Sequence, residues 1–289
     1  MRSFLFIPGD SPKKLDKGMQ SGADALLLDL EDSIAPPSKA SARATTAAFL
    51  KEAVGVANRP RLYVRINGLA TGLTDDDLET VVAARPDGVM FPKAEGGAAV
   101  IHCDAKITAR EAIYGLPDGS LDIIAIATET AQALFLAGTY VGASKRLKGL
   151  TWGAEDLSVE LGAEANRDRD GNFLAPYQLA RTLCLAGAAS AQVQAIDTVY
   201  VNFKNDTGLR RECEEARRDG FSGKMAIHPG QVAAINEVFT PTAEAIKRAE
   251  AVIAAFAQNP GAGTVGIGGV MYDRPHLERA KRLLAQAKR

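Results

Sequence analysis

The sequence predicts an α/β protein: a closed parallel (β/α)8 barrel of the TIM type with a C-terminal helical extension. Short apolar runs rich in β-forming residues recur along the chain, and each is followed by a polar or glycine-containing turn and then a helical period. Eight such runs can be counted before residue 240, and eight strands alternating with eight helices close naturally into a barrel. A third observation weighs against the open doubly wound sheet. Its first turn would carry a dinucleotide fingerprint, whereas Pro8-Gly9-Asp10-Ser11-Pro12 has no GxGxxG spacing.

The strands are expected at 4–8 (Phe-Leu-Phe-Ile-Pro), 25–30, 62–66, 88–91, 122–127, 147–152, 198–201 and 224–227. Helical periods fall between or after them at 12–21, 39–54, 74–84, 97–114, 131–137, 175–189, 208–220 and 229–239. The 289 residues allow one large domain or two small ones, and because such barrels run to about 250 residues as a single unit, length alone does not demand two. The barrel is therefore assigned to 1–240 and the C-terminal helices to 241–289. Within that tail, a helix at 242–258 precedes the glycine-rich stretch 259–269, read as a mobile linker, and a basic helical segment follows at 270–289. Glycines ahead of a helix permit a lid that closes over a site, including the site of another subunit, and the competing reading is a surface helix that packs on the barrel.

Charge and cysteine usage exclude several classes of function. With 34 basic and 35 acidic residues the net charge is -1, so no general field attracts nucleic acid or an anionic membrane, and an anionic ligand must be held locally. Cys103, Cys184 and Cys213 are widely spaced with no CxxC, which indicates neither a disulfide framework nor a zinc knuckle. The first residues lack the long apolar core of a signal peptide, and nowhere do about eighteen apolar residues run together. The expectation is a soluble, unprocessed, cytoplasmic protein.

A barrel of this kind does its chemistry at the carboxyl ends of the strands, and the residues expected there are strongly polar. They are Asp29-Leu30-Glu31-Asp32-Ser33, Arg65-Ile66-Asn67, Pro92-Lys93, Glu129, Glu155-Asp156 and His228-Pro229. Glu129 and Asp156 each follow an apolar run and lie one βα unit apart. Neighbouring strands are about 5 Å apart, so the two carboxylates can share one hard divalent cation, with oxygen ligands favouring Mg²⁺ over zinc. Their competing reading is as solvated acids at helix starts. Arg65 offers a planar fork of donors to a carboxylate or a developing enolate oxygen, and its competing reading is an ion pair with Asp29 or Glu31. Lys93 would form a Schiff base only if its pKa were lowered, and pairing with the acidic rim is the favoured reading. His228 reads as a structural or hydrogen-bonding histidine, and neither His102 nor His276 has the spacing of a metal ligand.

These segments resemble a known family. Phe6-Ile7-Pro8-Gly9, Gly22 to Ser33 with its LDLEDS, Val64-Arg65-Ile66-Asn67, Gly153-Ala154-Glu155-Asp156-Leu157 and Gly223 to Pro229 are similar to the citrate lyase beta subunit-like proteins of the HpcH/HpaI aldolase superfamily. The match spans nearly the whole chain, and LDLEDS with GAED in this order is specific where one alone is not. The resemblance implies a Mg²⁺-dependent barrel that cleaves or forms a carbon-carbon bond in a 3-hydroxyacyl thioester. It implies metal binding by Glu129 and Asp156, with Glu129 beside the keto-acid fragment, and substrate contact by Arg65. Related CoA-dependent lyases carry an aspartate in a C-terminal segment that reaches a neighbouring subunit, and Gly269 to Pro275 looks similar. Asp273 is thus the candidate for acid-base work at the acetyl carbon, and a homo-oligomer, trimer or hexamer, is expected.

One departure concerns the carrier. Malyl-CoA lyases have an arginine after the first strand that touches the CoA phosphates, whereas this chain has Ser11 followed by Lys13, Lys14 and Lys17. The leading expectation is a lyase for a citramalyl-CoA or malyl-CoA type ester, giving a keto acid and acetyl-CoA. The alternatives are a citrate lyase beta subunit acting on a carrier protein, a non-catalytic acyl-CoA-binding barrel, and an aldolase working through Lys93.

Overall fold

A computed structural model describes residues 1–287. The chain divides into two compact units, Met1–Ile235 and Asn236–Arg289. In the first, eight parallel strands close on themselves: β1 (Ser3–Pro8), β2 (Ala25–Asp29), β3 (Arg61–Arg65), β4 (Gly88–Phe91), β5 (Asp122–Ile126), β6 (Leu147–Thr151), β7 (Gln194–Asp197) and β8 (Gly223–Ala226). Closure is made by β1 against β8, with Phe4 level with Met225. The predicted barrel is the observed fold.

Alternation along each strand sends every second side chain to the axis. Phe4, Ala25, Leu27, Tyr63, Met90, Ile124, Ile126, Ile196 and Met225 form one buried cluster drawn from seven of the eight strands. The eighth, β6, contributes Gly149, where a Cβ would stand 3.0 Å from the Ile196 methyl, so the bare backbone leaves room for its neighbours. The barrel interior is therefore a filled core, and polar side chains collect at its carboxyl rim.

The seventh strand departs from the sequence expectation. It is Gln194–Asp197, four residues before the β-rich 198–201, which instead forms the loop beyond the strand end. Gln192 in the left-handed conformation ends the helix Ala175–Ala191, and β7 begins two residues later. A buried polar cluster then fixes its register. The Lys224 ammonium, fully buried on β8, donates to Asp197 Oδ2 at 2.6 Å and to Glu212 Oε1 at 2.8 Å, and Trp152 Nε1 donates to Asp197 Oδ1 at 2.8 Å. Asp197 reads as a poor strand residue because its partners are distant in sequence.

A second difference concerns the setting of Asp156. Strand β6 stops at Thr151, and Asp156 lies in the first turn of a short helix, Ala154–Glu160, that the apolar periodicity did not reveal. Glu129 stands three residues beyond β5, just before Thr130, whose hydroxyl caps the helix Ala131–Phe135 by accepting from Ala133 N at 3.2 Å.

In the second unit, the helix Ala243–Gln258 and the final helix Arg274–Ala287 bury Ala249, Val252, Phe256, Leu277 and Ala280 together with Val265. The second half of the glycine-rich stretch is regular structure: 264–273 forms an antiparallel hairpin of β9 (Thr264–Ile267) and β10 (Val270–Asp273), with Ile267 paired to Val270, while 259–263 is turn and coil. Gly268 and Gly269 have φ of +57° and +79°, the paired left-handed geometry of a two-residue turn whose twist matches the strands. Composition suggested flexibility because glycine serves both purposes. Gly269→Val should destabilise this unit by about 1–2 kcal/mol, whereas Gly268→Asn should be tolerated, as measured by the temperature at which protease first cuts the hairpin.

Candidate active site at the barrel rim

The site is built outward from Asp29 and Arg65, which are register partners at the ends of β2 and β3. Their side chains meet as a fork: Arg65 Nε donates to Asp29 Oδ1 and Nη2 to Asp29 Oδ2, both at 2.7 Å. Burial works against the charge on Asp29, yet the guanidinium and the backbone N–H of Glu31 hold its carboxyl below the usual range. The same carboxylate accepts from Glu31 N at 2.8 Å and Ser33 N at 3.1 Å, and so shapes the LEDS turn. Arg65 Nη1 is left 3.0 Å from Glu31 Oε2 and 3.4 Å from the exposed Asp32 Oδ2, with the guanidinium carbon 4.8 Å from the centre of the Phe6 ring. The ion-pair reading of Arg65 is thus what the structure contains.

Helix Lys39–Ala53 supplies a staple that sequence reasoning missed. Lys39 Nζ donates to Leu30 O at 2.7 Å, Glu31 O at 2.6 Å and Asn67 Oδ1 at 2.9 Å. Asn67 in turn donates from its backbone and side chain to the buried Asp77 Oδ2, at 2.7 and 2.6 Å. The loops after β2 and β3 are thereby fixed to each other. No local spacing announces contacts 28 residues apart.

Linked to this cluster through Lys93 is Glu129, a carboxylate only 3% exposed. Burial first, and then the neighbouring charges of Glu31 and Asp156, push its pKa up to about 8. Oε2 accepts from Lys93 N at 2.5 Å. Gly153 makes the space: a Cβ there would fall 2.7 Å from Glu129 Cγ and 3.3 Å from Oε1. Lys93 itself has φ of +49°, a left-handed conformation that costs a lysine about 1–2 kcal/mol, and it is the backbone N–H of this residue that meets Glu129. Its ammonium lies 2.5 Å from Glu31 Oε1 and 3.3 Å from Asp156 Oδ1. Lys93 therefore ties together the two acids expected to act as a pair.

Charge decides what this rim can hold. Asp29, Glu31, Asp32, Glu129 and Asp156 gather around Arg65 and Lys93, with the Lys39 ammonium bonded to the backbone of the same loop, so five carboxyl groups meet three cations. Buried negative charge without full compensation is costly, as the raised pKa values of Glu31 and Glu129 record. Glu31 Oε2 is buried without a hydrogen bond, although Arg65 stands near it. An all-oxygen donor set with excess negative charge suits a hard divalent cation. Among the described residues, no three His, Cys, Asp or Glu side chains are grouped to hold a metal ion alone. Two carboxylates with water and substrate oxygens are the way Mg²⁺ is commonly held, so the donor set fits that ion.

The remaining candidates fall as follows. The setting of Lys93 does not favour the neutral amine that a Schiff base needs: burial works against its charge, but Glu31, Glu129 and Asp156 raise its pKa. His228 is structural, accepting from Gly230 N at 3.1 Å through Nδ1 and stacking on Phe203 at 4.9 Å. Asp273 belongs to the second unit, where it ends β10 and directly precedes the final helix. His276 N donates to its Oδ1 at 3.3 Å, His276 Nδ1 lies 2.5 Å from the same oxygen, and this partner keeps the carboxyl below its usual range. No helix among the described residues is long and apolar enough to cross a membrane.

A closed parallel barrel with an acid-rich carboxyl rim defines an α/β-barrel enzyme. The chain belongs to the HpcH/HpaI aldolase/citrate lyase family, whose model matches residues 2–229. It is 37% identical over 289 residues to a (3S)-malyl-CoA thioesterase of Cereibacter sphaeroides, covering 99% of this chain and 94% of that one. It is 34% identical over 290 residues to the citrate lyase subunit beta of Leuconostoc mesenteroides subsp. cremoris, covering 99% and 93%. The crystal structure of CitE from Mycobacterium tuberculosis in complex with magnesium, acetoacetate and coenzyme A matches with a TM-score of 0.80 and 30% identity, over 100% of this chain and 98% of that one.

Proposed function

We propose that the chain is a Mg²⁺-dependent carbon-carbon lyase that cleaves a 3-hydroxyacyl-CoA ester of the malyl-CoA or citramalyl-CoA type into a 2-keto acid and acetyl-CoA. The observation that carries this reading is the buried Glu129 carboxylate, crowded by Glu31 and Asp156 at the carboxyl end of a barrel. Glu129 and Asp156 would hold the cation, which when bound supplies a Lewis acid for the oxygen of the keto-acid fragment. Arg65, locked by its fork to Asp29, presents Nη1 to substrate oxygen by exchanging the weak contact with exposed Asp32. There it offsets charge on the thioester enolate. Asp273, for which the family resemblance implies acid-base work, would take a proton from the acetyl carbon in the condensing direction and return it on cleavage.

The likeness to a malyl-CoA thioesterase favours a second reading, hydrolysis of the thioester to a hydroxy acid and free CoA. One assay separates the two. Purified protein with Mg²⁺ and malyl-CoA or citramalyl-CoA should give keto acid and acetyl-CoA by mass detection, without stoichiometric free thiol. Free thiol without keto acid would select hydrolysis, and no product from any ester of this class would sink both. Asp273→Asn should bind the ester and lose turnover.

A further inference from the structure

We propose that the Lys93 ammonium is a tethered stand-in for the divalent cation: it bridges the acidic rim in the cation's absence and leaves Glu31 and Asp156 when the cation enters. The inference rests on the magnesium reading above and deepens it. Three observations carry it. The ammonium lies 2.5 Å from Glu31 Oε1 and 3.3 Å from Asp156 Oδ1, on the acids that crowd Glu129. The other cations nearby cannot play this part, since Arg65 is committed to Asp29 by two hydrogen bonds of 2.7 Å and Lys39 to Leu30 O, Glu31 O and Asn67 Oδ1. Lys93 also divides into a fixed and a free part. Its backbone N–H is held on Glu129 Oε2, while its side chain, 34% exposed, has a long flexible stem that can reach solvent.

A dication and an ammonium drawn to the same oxygens compete, and like charges a few ångströms apart repel. Lys93 therefore lowers the affinity of the rim for its cation and makes binding reversible, while protecting the carboxylates from mutual repulsion beforehand. The backbone contact to Glu129 survives the exchange because it does not involve the side chain.

The test is a titration of the full-length protein with Mn²⁺, reading free ion by electron paramagnetic resonance, with thermal unfolding confirming that each variant is folded. Lys93→Met, which keeps most of the stem and drops the charge, should bind Mn²⁺ at least tenfold more tightly than the parent. Lys93→Arg should bind no more tightly, and Glu129→Gln should lose the site. Equal or weaker binding by Lys93→Met, with the parent binding through Glu129, would overturn the stand-in role alone. Unchanged binding by Glu129→Gln would remove the cation site, and this inference with it. A second readout needs no substitution at Lys93: amine labelling at that residue, followed by peptide mass, should rise severalfold when Mn²⁺ is added. Constant labelling in a protein that binds Mn²⁺ would count against the exchange.

Discussion

If the proposed function holds, Glu129→Gln is expected to lower turnover of the CoA ester by about 10³-fold, because it removes a charged oxygen from the proposed cation site while keeping the shape that Gly153 accommodates. Stability should move the other way. The folded carboxyl has a pKa of about 8 against an ordinary 4.5, so between these values the folded chain keeps a proton that the unfolded chain has released. Its contribution is full below the lower value and is lost as pH rises toward the upper one, at about 1.4 kcal/mol per unit. Urea midpoints with a chelator present, at pH 5 and pH 8, should show the parent losing stability relative to Glu129→Gln. A constant difference between the two proteins would mean that burial does not hold the proton on Glu129.

Arg65→Met should cost about 3–5 kcal/mol, since it strands Asp29, only 2% exposed, and removes the cation beside Glu31. Activity should fall with it. Arg65→Lys separates the two effects: a single ammonium restores charge without the two parallel hydrogen bonds to Asp29, so stability should recover in part and turnover should not. Denaturant unfolding with steady-state assays on the same preparations decides this. A lysine variant with parental turnover would show that the fork geometry is dispensable.

The barrel was legible because its signal is repeated: seven of the eight strands lie where apolar β-forming runs predict them, within a residue or so at each end. The exception, β7, is instructive. Its inward residue Ile196 is flanked by Asp197, which can be buried only because Trp152 and Lys224, itself paired with Glu212, reach it from elsewhere in the chain. A pattern read along the chain cannot see that compensation, and the more β-branched residues after it drew the assignment forward. The rim acids were visible as types and positions, yet their relations were not. Asp156 sits on a helix too short to show a period, and the bridge through Lys93 depends on a left-handed backbone that no lysine advertises. Glycine was ambiguous in both places where it mattered: Gly153 gives room to a carboxylate, and Gly268-Gly269 turns a hairpin.

Asp29 accepts from Arg65 twice and from Glu31 and Ser33 once each, so one side chain sets the position of a cationic donor and an acidic loop together. Anyone redesigning the rim of this barrel would therefore find it made of parts with unequal freedom. Asp29, Arg65 and the turn beyond β2 would have to be transplanted as one block, whereas Asp32 and the stem of Lys93 could be varied singly.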